Sequence, residues 1–123
     1  MIIGKIRADQ EAVIELEVVG LNHNEKVEVV IDTGFTGFLM LPSDLIKRLG
    51  LQLIGNRRAI LGDGSPVSFD LYLAKVVWHG RTRDVPALGA KHDGALIGMS
   101  MLSGSRAVLE IVPNGTVTIA PLA

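Results

Sequence analysis

Most of the chain alternates apolar and polar residues with a period of two, and this pattern restricts it to a mainly β fold. In the stretch VIELEV, Ile14, Leu16 and Val18 point to one side, while Glu15 and Glu17 point to the other. Such alternation is typical of a strand with one buried face, whereas an amphipathic helix repeats its apolar residues about every 3.6 positions. We therefore predict a sheet protein, with helices only where the pattern changes.

Several further segments carry the same strand signals, and residues that favour turns separate them. These predicted strands are Lys26 to Ile31, Phe38 to Leu41, Arg57 to Leu61, Val67 to Trp78, Thr82 to Leu88, Arg106 to Val112 and Thr116 to Ala120. The pair Asn114-Gly115 favours a two-residue type I′ hairpin. Short strands joined by such turns suggest a closed or nearly closed barrel.

Two short helices are predicted to interrupt the strands. In PSDLIKRLG, Ser43 is a plausible N-cap and Gly50 a plausible stop, because serine caps orphan N–H groups and glycine tolerates the left-handed conformation that ends many helices. A second helix is expected to begin near Met99 and to end at Gly104. Both predictions rest on the loss of the period-two pattern in these segments.

The composition limits the class of protein. A chain of 123 residues matches one domain, residues 1–123, and its 48% hydrophobic residues argue against disorder. A mean hydropathy of +0.39 leaves more apolar surface than a small monomer easily buries, which favours self-association. The formal net charge of −1, with Lys and Arg spread thinly, provides no basic surface for nucleic acid or for a membrane.

The chain contains no cysteine, which removes disulfides, thiol nucleophiles and cysteine zinc sites. The start, MIIGKIRADQE, lacks an extended apolar segment, and no uncharged run approaches the roughly 20 residues of a membrane span. These features predict a soluble protein of the cytoplasm.

An acid stands where the chain is most apolar. The stretch VEVVIDTGFTGFLMLP runs a predicted strand directly into Asp32, with Gly34 and Gly37 beyond it. An ionised carboxylate without a partner is costly in apolar surroundings, so some compensation is expected. Two interpretations are open: Asp32 caps a turn through its own side chain, or it is a catalytic carboxylate.

Three segments, in this order along the chain, resemble the retropepsin-like aspartic proteases of a single-domain, non-viral branch. They are Asp32-Thr33-Gly34, the hairpin segment LGDGSPVSFDLYL, and Leu96-Ile97-Gly98. The resemblance covers the chain from about Val13 to its end. It implies a mainly β fold, a closed or partly open acid-protease barrel with one or two short helices.

The resemblance also implies an activity, that of an aspartic endopeptidase acting on peptides or proteins without a cofactor. A water held between two carboxylates, one ionised and one protonated, can hydrolyse a peptide bond. The sequence contains one Asp-Thr-Gly and no Asp-Ser-Gly, so the second carboxylate would be the Asp32 of another copy. The expected assembly is therefore a homodimer with its active site on the two-fold axis.

The resemblance assigns roles to residues around this acid. Thr33 would bond across the axis, and Gly34 would let the backbone approach the substrate. The residues expected to contact substrate are Phe35, Thr36, Gly62, Asp63, Gly64 and Ser65, the last four forming the tip of a flap. Leu96, Ile97 and Gly98 would support the catalytic loop from below.

By the same resemblance, the apolar ends of the chain, Met1 to Ile6 and Val117 to Leu122, would be candidates for an interchain sheet. Homodimerisation would then be a requirement for catalysis.

Some positions depart from the family pattern. Phe35 stands where Ala or Ser is common, and Ser100 where Asp or Asn is common. Thr36 and Met99 replace an Asp and an Arg that pair in retroviral members, which favours a cellular or prokaryotic branch. The alternative function is therefore a catalytically weak or inactive dimeric module that binds peptides or acts as a scaffold.

The sequence does not support three other kinds of site: a phosphate loop, a metal site and a second catalytic motif. A phosphate loop would need Gly-Lys-Ser or Gly-Lys-Thr, which is absent. His23, His79 and His92 all fall in predicted turns without spacing that forces them together, so no metal site is predicted. Asp93 precedes Gly and Ala in the wrong order for a second catalytic motif.

A faint internal repeat is also visible. VVIDTGFTGFLMLPSDLIKRLG and DVPALGAKHDGALIGMSMLSG share the order of apolar strand, glycine-containing turn, and short strand or helix. Only the first carries the acid in its motif. Chance similarity remains an equal alternative for such a short pattern.

Overall fold

Strands dominate the described part of the chain, which comprises residues 1–60, 62–91 and 94–123 of a computed structural model. The strands are β1 (Ile2–Ile6), β2 (Ala12–Val19), β3 (Asn24–Ile31), β4 (Leu39–Pro42), β5 (Gln52–Ile60), β6 (Pro66–Trp78), β7 (Arg81–Ala90), β8 (Leu96–Ile97), β9 (Ser105–Leu109) and β10 (Thr116–Pro121). The helices are α1 (Ser43–Leu49) and α2 (Met99–Leu102). The mainly β prediction with short helices is confirmed.

The strands form one sheet that closes on itself. Its order is β5-β6-β7-β4-β8-β3-β2-β1-β10-β9, and an additional pairing of β2 with β6 completes a ring from β6 round to β2. The strands β1, β10 and β9 extend the sheet beyond this ring. Only β5 and β9 end the order, so these two strands carry the open edges of the described sheet.

The period-two alternation decides which side chains fill the ring. Ile14, Leu16 and Val18 of β2 are buried, whereas Glu15 is exposed, as the alternation predicts. Trp78 at the end of β6 is also buried within the same core. Burying one apolar face per strand is the main stabilising contribution, about 25 cal/mol for each Å² of apolar surface removed from water.

The first helix differs from its prediction at its start. Ser43 is the first helical residue and Pro42 is the N-cap, without a side-chain cap bond. The Ser43 hydroxyl instead donates to the carbonyl of Ala90 at 3.1 Å, so it joins α1 to the end of β7. Gly50 ends the helix in the left-handed conformation (φ 66°), as predicted. No helix in the described residues is long and apolar enough to cross a membrane.

The connection between β9 and β10 also differs from its prediction. Strand β9 ends at Leu109 instead of Val112, so residues 110–115 form the connection. Asn114 has a positive φ of 59°, but Gly115 has none, and a type I′ turn needs both. Gly115 is required for another reason, because a Cβ there would lie 1.8 Å from the carbonyl oxygen of Glu110.

Other boundaries shift by a few residues. The segment predicted from Arg57 is part of the longer β5, and Leu61 lies outside the described residues. Strands β1 and β8 were not predicted as strands of the chain's own sheet. Both are short, and β8 has only its two apolar residues to signal a strand.

The ends of the chain do not present free strands in the way the resemblance suggested. Strand β10 pairs with β1 through Thr116–Ile119 and with β9 through Val117–Pro121. Both of its edges are therefore occupied within the chain. The suggestion that Val117 to Leu122 contributes to an interchain sheet stays a prediction about the dimer. Strand β1 pairs with β10 and, through Lys5 and Ile6, with β2.

Candidate active site

Asp32 lies just beyond the end of β3, at the entry to the loop that leads to β4. Its backbone N–H donates to the carbonyl of Ile97 at 2.9 Å, which continues the ladder between β3 and β8. Its carbonyl accepts the N–H of Phe35 at 3.1 Å. The backbone on both sides of the carboxylate is thus held by hydrogen bonds.

The Asp32 side chain is half-buried and only partly satisfied. Oδ1 accepts the N–H of Gly34 at 2.9 Å, which closes a turn. Within residues 1–60, 62–91 and 94–123, Oδ2 accepts no hydrogen bond and no cationic side chain pairs with the carboxylate. Thr33 and Gly34 are exposed, so the loop lies at the surface with one carboxylate oxygen free to bind a water or a proton.

The apolar pair Leu96-Ile97 lies directly beside Asp32. Strand β8 runs parallel to β3, with Ile97 opposite Ile31, and antiparallel to β4, with Ile97 opposite Leu39. Ile97 is fully buried. Two segments that are far apart in the sequence therefore meet, and β8 lies between the two strands that enter and leave the Asp32 loop.

Gly98 lets the loop and β8 approach closely. A Cβ at this position would lie 2.4 Å from the carbonyl oxygens of both Phe35 and Gly37, well inside van der Waals contact. The Gly98 N–H donates to the carbonyl of Phe38 at 3.1 Å. Only a residue without a side chain can be this close to the backbone of the loop.

The ring of Phe35 packs against glycines of its own site. A Cβ on Gly37 would lie 2.5 Å from Phe35 Cζ, and one on Gly98 would lie 2.7 Å from Phe35 Cδ2. The ring is half-buried. The structure therefore places Phe35 as packing within the loop, a role that the comparison with Ala or Ser at this position did not suggest.

The first turn of α2 binds the loop through its backbone and one hydroxyl. The N–H of Met99 donates to the carbonyl of Phe35 at 2.8 Å, and the N–H of Ser100 donates to that of Gly37 at 3.2 Å. The Ser100 hydroxyl donates to the carbonyl of Thr36 at 2.5 Å. The sequence identified Ser100 only as a departure from the family pattern. The one sign of its role was a hydroxyl group placed two residues after Gly98.

The expected flap is a hairpin of β5 and β6, with Gly62 to Ser65 at its tip. Asp63 Oδ1 accepts the N–H of Ser65 at 2.9 Å and its hydroxyl at 2.6 Å, and these bonds lower the pKa of Asp63 below its usual value. Gly64 has a φ of 85°, which favours glycine. No hydrogen bond joins this tip to the Asp32 loop among the described residues.

A groove of about 360 Å³ lies beside the hairpin. It is lined by Ser43, Val67, Ser68, Phe69, Asp70, Tyr72, Gly89, Ala90 and Lys91. Asp32 is not part of this lining. In one chain, therefore, the acid and this groove beside the hairpin are separate surface features.

The histidines have local partners. His23 Nε2 lies 3.0 Å from Glu25 Oε2, and His79 Nε2 lies 2.8 Å from the hydroxyl of Ser105. His92 and Asp93 lie outside the described residues. Among the residues that are described, no three His, Asp or Glu side chains cluster to hold a metal ion.

Comparisons with known proteins place this arrangement among solved folds. No protein-family model matches the chain, and no curated protein matches it in sequence. The crystal structure of a retropepsin-like aspartic protease from Rickettsia conorii matches with a TM-score of 0.66 and 18% identity, covering 98% of this chain and 91% of that one.

Two viral enzymes match over shorter parts of the chain. EIAV protease, solved with the inhibitor HBY-793, has a TM-score of 0.61 and 19% identity, covering 77% of this chain and 88% of that one. Simian foamy virus (mac) protease has a TM-score of 0.54 and 19% identity, covering 73% and 90%. The fuller coverage by the bacterial structure agrees with a non-viral branch. The chain therefore has the fold of the retropepsin-like aspartic proteases.

Proposed function

We propose that the chain is an aspartic endopeptidase that works as a homodimer, with the two Asp32 side chains facing each other across its two-fold axis. The observation that carries this proposal is the state of the Asp32 carboxylate. Oδ1 is oriented by the N–H of Gly34, Oδ2 has no partner among the described residues, and the loop is bound from behind by β8 and α2. An oriented carboxylate with a free oxygen is suited to binding a catalytic water.

The Asp32 of a second chain would provide the second carboxyl group that the mechanism needs. Two carboxyl groups a few Å apart cannot both be ionised, so the pair would share one proton and titrate as a unit. The ionised Asp32 accepts a proton from the water as its oxygen attacks the peptide carbon. The protonated Asp32 donates its proton to the carbonyl oxygen, and the tetrahedral intermediate then collapses with proton transfer to the leaving nitrogen.

The loop architecture supports precise placement of this carboxylate. Proton transfer requires donor and acceptor within hydrogen-bond reach, so a shift of the loop of about 1 Å would be costly. Gly98 permits the close packing beneath the loop, and Ser100 binds the carbonyl of Thr36. Two of the departures from the family pattern, Phe35 and Ser100, are thus accommodated as packing and as a hydrogen bond behind the acid.

In the dimer, Thr33 would hold the two loops together, and the tips at Gly62 to Ser65 would cover an extended peptide. Thr33 is exposed at the loop surface, where a second chain can reach it. The tip is ordered by the hydrogen bonds of Asp63, and no hydrogen bond joins it to the Asp32 loop among the described residues. A hairpin of this kind can close over a substrate and offer main-chain hydrogen bonds.

The Asp32→Asn substitution tests the proposal. Loss of the ionisable pair should reduce cleavage of an unfolded protein substrate by at least about 10³-fold, because the amide cannot accept the proton of the water. Asp44→Asn, an exposed carboxylate in the first turn of α1, is the matched control and should retain activity. Cleavage is measured by mass spectrometry of the products between acidic and neutral pH.

The result also separates the enzyme from a scaffold. If the unsubstituted dimer cleaves nothing at any pH but binds extended peptides equally well with and without the Asp32→Asn change, the chain is a binding module. If the Asp32→Asn variant cleaves as well as the parent, another residue performs the reaction and the proposal fails.

A further inference from the structure

A groove at the turn between β6 and β7 contains two arginines and no acid among the described residues that line it. It has a volume of about 490 Å³, and its lining consists of Trp78, His79, Arg81, Thr82, Arg83 and Pro121. Small-molecule sites have volumes of about 300–1,000 Å³, so the groove is large enough for a ligand. Asp32 is not part of this lining. The groove is therefore separate from the candidate active site.

Both arginines lie on the face of β7 that continues the core. Side chains alternate along a strand, so Arg81 and Arg83 share a face with Val85, which is buried. Arg81 lies opposite the buried Trp78 of β6, and Arg83 lies opposite the buried Val76. The two exposed arginines thus stand where the inner face of the sheet leaves the core and reaches the surface. A charged residue on such a face usually has a partner.

No acid in the described part of the chain compensates these arginines. Arg81 and Arg83 form no ion pair within residues 1–60, 62–91 and 94–123. Asp84 follows directly in the sequence, but the alternation places it on the other face of β7, opposite Lys75. By comparison, Arg48 of α1 pairs with a glutamate of β3. The groove therefore carries an excess of positive charge.

Arg83 is held in place by an aromatic ring. Its guanidinium carbon lies 5.2 Å from the centroid of the Phe38 ring, which is a cation–π contact. Phe38 itself packs against the hydrophobic core. A cation–π contact uses no hydrogen-bond donor, so the N–H groups of Arg83 remain available to a ligand. A guanidinium that is already positioned also loses less conformational freedom when a ligand binds.

His79 adds a ring nitrogen without a partner. Its Nε2 lies 2.8 Å from the hydroxyl of Ser105, whereas Nδ1 is buried and forms no hydrogen bond with the described residues. The ring lies beside that of Trp78, with 5.1 Å between the two centroids. Buried polar atoms nearly always have a partner. The groove thus includes an unused hydrogen-bonding atom as well as two unpaired cations.

We propose that this groove binds the phosphate group of a small molecule. A phosphate monoester has three terminal oxygens and a charge of about −1.5 to −2 near neutral pH, so it can accept hydrogen bonds from two guanidinium groups at once. A carboxylate has two oxygens, which a single guanidinium fork already occupies. The Cα atoms of Arg81 and Arg83 are about 7 Å apart along the strand, so both long side chains can reach one phosphate.

The other pair of neighbouring arginines cannot form such a site. Arg57 and Arg58 are adjacent in β5, so their side chains point to opposite faces of the strand. They cannot converge on one phosphate, although they carry the same charge as the pair in β7. Spacing by two residues, together with the cation–π contact, therefore distinguishes Arg81 and Arg83. The phosphate site does not depend on the proposed function.

Tryptophan fluorescence tests the site, because Trp78 is the only tryptophan of the chain and lines the groove. Sodium phosphate, added at pH 7.5 and constant ionic strength, should change the emission in a saturable way. Phenyl phosphate should bind at least as tightly, since the groove has room for an organic group. Sodium acetate should bind at least about tenfold more weakly, because one carboxylate cannot engage both arginines.

These titrations can also overturn the proposal. Absence of a saturable change with phosphate would exclude the site. Acetate binding as tightly as phosphate would exclude the assignment to phosphate. Much weaker binding of phenyl phosphate than of inorganic phosphate would show that the groove does not accept a phosphate attached to a small molecule.

Substitutions of the arginines locate the binding. Arg81→Gln and Arg83→Gln should each weaken phosphate binding roughly tenfold, since each removes a charge-assisted contact. Arg83→Lys keeps the charge and loses the fork, so it should weaken binding by a smaller factor. Arg58→Gln, an exposed arginine of β5, changes the net charge equally and should bind phosphate as the parent does. Equal losses in all three glutamine variants would show a response to net charge alone and would overturn the site.

A last variant separates the site from the proposed function. Asp32→Asn should bind phosphate as tightly as the parent, because the groove does not include the acid. Phosphate should also raise the thermal unfolding temperature of the parent and of Asp32→Asn, and should leave that of Arg81→Gln nearly unchanged. If Asp32→Asn changes phosphate binding, the ligand lies at the acid and the groove is excluded. If phosphate does not bind, the site fails and the protease proposal is unaffected.

Discussion

The two halves of the chain follow the same plan, and each completes the other. In the first half, β3 leads through the Asp32 loop to the short strand β4 and helix α1; in the second, β7 leads to the short strand β8 and helix α2. Strand β4 runs parallel to β7, and β8 runs parallel to β3. The short strands pair with each other antiparallel. The faint repeat in the sequence thus has a structural counterpart.

The halves differ in the segments that connect their long strands to their short ones. The first half carries Asp32, and its loop accepts hydrogen bonds from Gly98, Met99 and Ser100 of the second half. In return, the carbonyl of Ala95 in the second half accepts the N–H of Val30. The first half carries the acid and the second half supports it. The chain therefore contains one Asp-Thr-Gly, although its two halves share the same order of elements. This difference is why the proposed mechanism needs a second chain.

A methyl group at Gly98, in the second half, should have the strongest effect on this comparison. Gly98→Ala would place a Cβ against two loop carbonyls, and we expect a loss of about 3 kcal/mol of unfolding free energy together with activity. Gly94→Ala is the matched control from the segment before β8, since no atom of the described residues lies within 4 Å of a Cβ there. Urea denaturation measures both, and equal stabilities would contradict the close packing.

The packing of Phe35 on Gly37 should appear as coupling between the two positions. Gly37→Ala would push a methyl group into the ring, at a cost of about 1–2 kcal/mol. The same substitution in a Phe35→Ala background should cost clearly less, since the ring is gone. A double-mutant cycle in urea measures the coupling, and additive effects would show that the ring has moved away from Gly37.

The Ser100 hydroxyl should contribute a smaller amount. Ser100→Ala removes its bond to the carbonyl of Thr36 and should cost about 1 kcal/mol. It should lower the rate constant of cleavage more than it changes KM, because the loop that carries Asp32 is less well held. Ser103→Ala, an exposed serine just after α2, serves as the control. A change confined to KM would argue against a role in positioning the loop.

The smallest expected effect lies outside the two halves, at the turn between β6 and β7. Burial lowers the pKa of His79 below its ordinary value of 6.5. The unfolded chain therefore binds this proton more readily, so stability is present above pH 6.5 and is partly lost as the pH falls below it.

This pH dependence is measured as a difference between two proteins. His79→Gln keeps a polar side chain that can bond to Ser105 but cannot titrate. The stability of the parent relative to this variant should fall between pH 7 and pH 5, as measured by thermal unfolding. A constant or rising difference over this range would contradict the lowered pKa.

Much of the fold could be read from local pattern, and the corrections share a cause. The alternation in β2 identified its buried face, and Gly50 was correctly read as the end of α1. The N-cap at Ser43 and the turn at Asn114-Gly115 were read from the preferences of these residues alone, but contacts with other residues decided them. The Ser43 hydroxyl bonds to Ala90, and Gly115 is packed against Glu110.

The site was predicted as a set of residues, without its internal contacts. The sequence placed Asp32 after a strand and identified Leu96-Ile97-Gly98 as its neighbours by resemblance. It assigned Phe35 to the substrate and left Ser100 without a role. The packing of the ring on Gly98 and the bond from Ser100 to Thr36 link positions that are far apart in the chain, and no local pattern reports such contacts.

The sequence by itself determined that the chain forms strands, which faces of most strands are buried, and that one acid follows an apolar strand. Side-chain period and glycine placement depend on neighbouring residues, so they are visible in the order of amino acids. Tertiary structure alone decided that β8 lies beside β3, that β10 has no free edge and that β9 does. Strands pair through backbone groups that every residue shares, so the identity of the neighbouring strand emerges only when the whole sheet is assembled.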